Sequence, residues 1–173
     1  DKKKKILFYN NVDNPINIVN FKKVKKLYQK LFKKKLDVTC LAVGAASEYP
    51  QCFMNINRKN EKERIEKNCI DKTKKILEIL KPRLFFPAGG SYTICGKYTN
   101  LSKYIAQPKF DKLEKNIKKI CPVYLIEGGG EILVEKKNFS LKKTSVNIES
   151  KEKFYNKFHD LKYFYQNKNS NIT

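Results

Sequence analysis

Histidine, methionine and arginine are nearly absent from this 173-residue chain, which has one His, one Met and only Arg58, Arg64 and Arg83. A catalytic zinc site usually draws on several His ligands. The lone His159 sits in a segment whose spacing predicts a helix, so neither a His-rich metal site nor a Ser–His–Asp set can be assembled around it. Scarcity of arginine matters because Arg supplies the forked contacts that nucleic-acid surfaces favour. Long apolar runs are missing too: no stretch approaches the roughly 20 residues of a membrane span. The start, 1-DKKKKILFYN-10, is too briefly apolar for a secretory signal. No G-x-x-x-x-G-K-[ST] loop and no dinucleotide fingerprint occur. The five cysteines (Cys40, Cys52, Cys69, Cys95 and Cys121) are odd in number and include no C-x-x-C, which points to reduced thiols in a cytoplasm.

What is there is lysine. The net charge is +21. Lys, Asn and Ile recur in every part of the chain, the mark of A·T-rich coding, so the lysines read as solvated faces rather than a dedicated nucleic-acid surface. Hydrophobic residues reach 40%, enough for a globular domain with a real core. The chain begins at Asp1 with its one methionine at Met54, so a processed chain or a piece of a longer protein is expected. One domain over residues 1–166 and a polar tail, 167–173, are expected.

Apolar periodicity orders the elements. Residues 5-KILFY-9 read as a strand ended by the turn-rich 10-NNVDNPIN-17. Phe21, Val24, Leu27, Tyr28, Leu31 and Phe32 mark a helix from Asn20, its expected N-cap. Residues 37-DVTCLAVG-44 read as a buried strand. A long helix follows at about 60–80, closed by Pro82, and 83-RLFFP-87 is the next strand. Residues 96–110 read as mostly irregular. Residues 111–120 read as a helix capped by Asp111, and 122-PVYLIEGGG-130 as a strand, with 131-EILVE-135 pairing back or continuing. A last helix is expected near 150–166. Strands alternating with helices make an α/β layered domain, with buried structural roles for Cys40 and Cys121.

Functional groups in such sheets gather in loops beyond the strand C-termini. Three loops stand out. In 87-PAGGSY-92, Gly89 and Gly90 permit positive φ and close approach of a ligand, while Ser91 and Tyr92 offer hydroxyls. In 44-GAASEYPQCF-53, Glu48 is a candidate acid/base or supporting carboxylate, with Tyr49 and Cys52 beside it. In 10-NNVDNP-15, Asp13 is either a metal carboxylate or the start of an Asx turn.

Two of these loops carry a resemblance. The segments 44-GAASEYPQCF-53 and 81-KPRLFFPAGGSY-92, with Gly96-Lys97 and Asn100 following, resemble the G-A-x-x-Y-P-x-C-F and K-P-K-x-x-I-P-F-A-G-x-Y elements of one metallo-β-lactamase-fold branch. That branch is sugar-hydroxylase-like and includes CMP-N-acetylneuraminate hydroxylases and UDP-N-acetylmuramate hydroxylase-like proteins. The likeness covers roughly residues 5–135 and matches the C-terminal half of the fold. It implies half of a four-layer αββα sandwich, as one mixed sheet with covering helices and one sheet face left open. It implies a metal-dependent hydrolase or hydroxylase-like enzyme acting on an amino-sugar nucleotide or a cell-envelope glycan. Glu48, Tyr49, Ala88, Gly89, Gly90, Ser91 and Tyr92 would line the substrate pocket. A zinc or iron ion would be held with Asp13 as a ligand. The expected partner is an N-terminal half, in cis or as a second chain. Neither a nucleic-acid nor a membrane partner is expected. Three departures stand: the H-x-H-x-D-H metal motif is not in this chain, the Phe between Pro87 and Ala88 is missing, and either Asn11 replaces the family's Asp after the first strand or Asp13 is its displaced equivalent. With the metal lost, the same fold would serve as a binding or scaffold domain.

Overall fold

The computed structural model describes residues 6–12, 16–88, 92, 94, 96–126, 130–134, 138–142 and 157. Three strands, β1 (Phe8–Asn11), β2 (Val38–Ala42) and β3 (Leu84–Ala88), form a parallel sheet in the order β1-β2-β3. Phe8 pairs with Val38, and Val38 with Leu84. The strand expected at 122–130 contributes one further parallel rung. Phe85 donates its N–H to the Pro122 carbonyl (3.0 Å), and Tyr124 donates to the Phe85 carbonyl (3.0 Å).

Each crossover is a helix, as parallel pairing requires. Helix α1 (Ile18–Phe32) joins β1 to β2. Asn17 caps it, its side chain accepting the Val19 N–H at 3.3 Å, so the helix begins two residues before the expected Asn20. A short helix, α2 (Tyr49–Cys52), and a 23-residue helix, α3 (Arg58–Leu80), join β2 to β3. The Asn57 side chain accepts the Asn60 N–H and starts α3. Lys81 ends it in the left-handed region (φ 50°), immediately before Pro82. A 3-10 segment (Gly96–Tyr104) runs through the stretch read as irregular. Helix α4 (Phe110–Ile117) has Lys109 rather than Asp111 at its cap position. Asp111 lies in the first turn, where a carboxylate offsets the helix dipole.

The core lies between the sheet and the helices. Phe21 and Tyr28 of α1, Ile70, Ile76, Leu77 and Leu80 of α3, and Leu113 and Ile117 of α4 pack with Leu41, Val43, Phe85 and Val123. Cys121 joins them, and Cys40 is buried as well; burial pushes their thiols up to about 12 and about 11. The opposite sheet face was expected to be open. It is buried at Val38, Cys40 and Leu84, and open at Phe8, which stacks on Phe86 with ring centroids 6.0 Å apart.

The expected mixed sheet is not observed among the described residues. Residues 131–134 form β4 (Glu131–Val134), which pairs antiparallel with β5 (Phe139–Lys142) as a separate two-stranded unit. Alternating Phe139 and Leu141 give β5 a strand period, in a stretch read from sequence as a polar connection. Arg83 at the start of β3 lies 4.7 Å over the Phe139 ring, which brings this pair against the N-terminal end of the parallel sheet. The helix expected at 150–166, and His159 with it, lies outside the described residues. No helix among the described residues is long and apolar enough to cross a membrane.

Candidate functional site at the C-terminal edge of the sheet

Strands β2 and β3 end side by side. Val43 donates its N–H to the Ala88 carbonyl at 3.1 Å, and the two motif loops leave the sheet from this rung. The first loop turns sharply. Gly44 has φ 129°, a conformation rarely open to a residue with a Cβ, and a Cβ there would stand 3.3 Å from Gln107 Cγ. Ala46 follows in the left-handed region at φ 61°, and Ser47 closes the turn onto the Gly44 carbonyl at 3.0 Å.

Two clamps hold the loop. Ala106 donates its N–H to the Ser47 carbonyl at 2.9 Å. Arg58 at the start of α3 bonds the Pro50 carbonyl at 3.0 Å and the Phe53 carbonyl at 3.1 Å. Both constraints come from outside the loop and hold its backbone carbonyls in place.

The second loop reaches the first through Tyr92. Gln51 donates from Nε2 to the Tyr92 hydroxyl, and Ser47 lies close enough to lower the phenol as well. Burial raises the phenol of Tyr92 above its ordinary value in spite of both. Gln51 is buried, and its Oε1 has no hydrogen-bond partner among the described residues. A buried amide oxygen without a donor costs about 1–3 kcal/mol. An acceptor left open beside a phenol and a serine suits the N–H or hydroxyl donors of a polar ligand.

The expected site residues separate into groups. Tyr92 stands at the centre of the cluster, and Ala88 ends β3 at its base. Glu48 is exposed at the cap position of α2 and makes no capping bond. Tyr49 turns away from the cluster. Its ring packs on Phe53 with centroids 4.6 Å apart, and it lines a groove of about 240 Å³ with Arg64, Asn68, Cys69 and Lys72. A smaller cavity of about 70 Å³ lies between the ends of β1 and β2, walled by Asn11, Val12, Gly44 and Cys69. Gly89, Gly90, Ser91 and Asp13 lie outside the described residues. Sequence reasoning missed Ser47 and Gln51. Both stand in the quoted motif loop at i, i+4 spacing across Pro50, the spacing that aligns two side chains on one side of a helical turn.

A metal does not fit the described residues alone. No group of three or more His, Cys, Asp or Glu side chains among them is placed to hold an ion. Where the resemblance expects a carboxylate after the first strand, the last residues of β1, Asn10 and Asn11, offer amides, and Asn10 spends its side-chain oxygen on the Val12 N–H at 3.0 Å; the alternative carboxylate, Asp13, lies outside the described residues. No protein-family profile, curated protein or solved structure matches the chain.

Proposed function

We propose that this chain is the substrate-recognition half of a metallo-β-lactamase-type αββα protein acting on an amino-sugar nucleotide or a cell-envelope glycan. The observation that carries the reading is the bond between Gln51 and Tyr92. It joins the two motif loops that carry the resemblance, at the strand ends where α/β sheets bind ligands. The open acceptor on Gln51, the Ser47 hydroxyl and the Tyr92 phenol form a polar cluster suited to acetamido and hydroxyl groups. Glu48, exposed next to them, is a carboxylate within the same loop for proton transfer.

Any metal, zinc or iron, belongs to the complete protein, with its ligands supplied by an N-terminal half in cis or by a partner chain. A cytoplasmic setting goes with this reading, since nucleotide sugars and free thiols belong there.

The test has two arms. The coding sequence upstream of Asp1 is read for H-x-H-x-D-H, and the protein with that region included is titrated calorimetrically with UDP-N-acetylmuramate and CMP-N-acetylneuraminate, against Gln51→Leu. Histidines upstream, with binding weakened about ten-fold or more in the variant, support the enzyme reading. Binding without the upstream histidines leaves a metal-free recognition domain, a reading that Asn10 and Asn11 at the end of β1 already favour. Absence of binding to either sugar nucleotide overturns both.

A further inference from the structure

Helix α1 carries a feature that the edge site does not use. From Ile16 to Leu36 the chain contains eight lysines and no acidic residue. Lys22, Lys23, Lys26, Lys30, Lys33 and Lys35 are exposed, and none of the six forms an ion pair among the described residues. Helix α1 meets the core through Phe21 and Tyr28. Apolar side chains nonetheless stand on its outer side: Val19 is 57% exposed, Leu27 57%, Leu31 62% and Phe32 54%.

At 100° per residue, Leu27 and Leu31 lie one turn apart along the edge between the buried face and the lysine face. Lys23 and Lys30 flank them. Leaving such side chains in water costs free energy that lysines alone do not recover. The arrangement is that of an interfacial helix, with an apolar edge to insert and cations to meet negative headgroups.

We infer that the outer face of α1 docks on an anionic lipid bilayer, lying in the interface plane with Leu27 and Leu31 inserted and the flanking lysines on the headgroups. Charge complementarity selects an anionic surface. Three of the four exposed apolar side chains, Val19, Leu27 and Leu31, are aliphatic, which favours lipid over nucleic acid, whose backbone favours Arg forks and whose bases favour stacking aromatics; α1 has no arginine. The absence of a membrane span, from which no membrane partner was expected, does not bear on a surface that inserts only part of one helix.

The test is co-sedimentation of the full chain with sucrose-loaded vesicles of phosphatidylcholine, with and without 30 mol% phosphatidylglycerol, at about 0.1 M salt. Binding is expected to the anionic vesicles alone. The double variant Leu27→Ala/Leu31→Ala should weaken it about ten-fold or more while keeping the wild-type circular dichroism and melting temperature. Lys23→Gln/Lys30→Gln should weaken it and flatten its salt dependence. The inference is overturned by no partition onto anionic vesicles or by binding that the leucine variant leaves unchanged. It is equally overturned if the leucines prove to hold two copies of the chain together, or if the chain binds an oligonucleotide with the same lysine dependence and ignores vesicles.

Discussion

The two ends of the parallel sheet are built on opposite principles. At the N-terminal end, Asp37 is buried and fully engaged. It accepts the Leu7 N–H at 2.8 Å, Arg83 Nη1 at 3.0 Å and Lys34 Nζ at 2.6 Å, tying β1, the end of α1 and β3 together. Nearby, the Tyr28 hydroxyl donates to the Leu80 carbonyl at 2.7 Å and joins α1 to the last turn of α3. At the C-terminal end, Gly44 is held at φ 129° and the buried Gln51 amide is half-satisfied among the described residues. The Asp37 cluster is satisfied within the chain. The open Gln51 acceptor stands at the strand ends, where a ligand would complete it. The difference assigns cohesion to one end and recognition to the other.

The comparison is broken or sharpened most strongly at Asp37. Replacing it by Asn should cost about 3 kcal/mol, because two cationic donors lose their buried counter-charge; urea melts measure the loss. Burial alone would raise the Asp37 carboxyl, but the bonds from Lys34, Leu7 and Arg83 outweigh it and hold the group below its ordinary value. Its contribution is therefore fully present above the unfolded value of about 3.9 and disappears as pH falls through the lower, folded value. Wild type should lose stability on acidification below about pH 4 more steeply than Asp37→Asn.

Gly44→Ala comes next, with a cost of about 2 kcal/mol from forcing a Cβ into φ 129°. Gln51→Leu should change stability by less than about 1 kcal/mol, since losing the bond to Tyr92 is offset by removing the open acceptor. The smallest effect is chemical. At pH 8 in the native state, Cys40 and Cys121, with thiols pushed up to about 11 and about 12, should react with iodoacetamide at least roughly a hundred-fold more slowly than exposed Cys52. Equal labelling would mean that the core opens readily.

Helices α1 and α3 were legible because their apolar spacing is local and strong. Their starts were less so, because Asn17 and Asn57 each compete with nearby polar residues for the cap and only backbone geometry decides. Strand β5 was hidden because Ser140 separates Phe139 from Leu141 and lysines follow, and its pairing with β4 depends on partners rather than on its own composition. The site was half legible. Tyr92 and the loop around Glu48 were visible as turn chemistry. Gln51 was not, because its significance lies in a bond to a residue 41 positions away. Asp37 looked like the first residue of a strand, and its donors at positions 7, 34 and 83 meet only in the fold.

The most direct measurement is a paired thermal melt of Gln51→Leu and Asp37→Asn against wild type. The division of labour expects Gln51→Leu to melt within about 2 °C of wild type, or above it, while Asp37→Asn falls by about 5 °C or more. If Gln51→Leu falls as far as Asp37→Asn, Gln51 is a structural brace like Asp37, and the claim that the C-terminal edge is kept open for a ligand is contradicted.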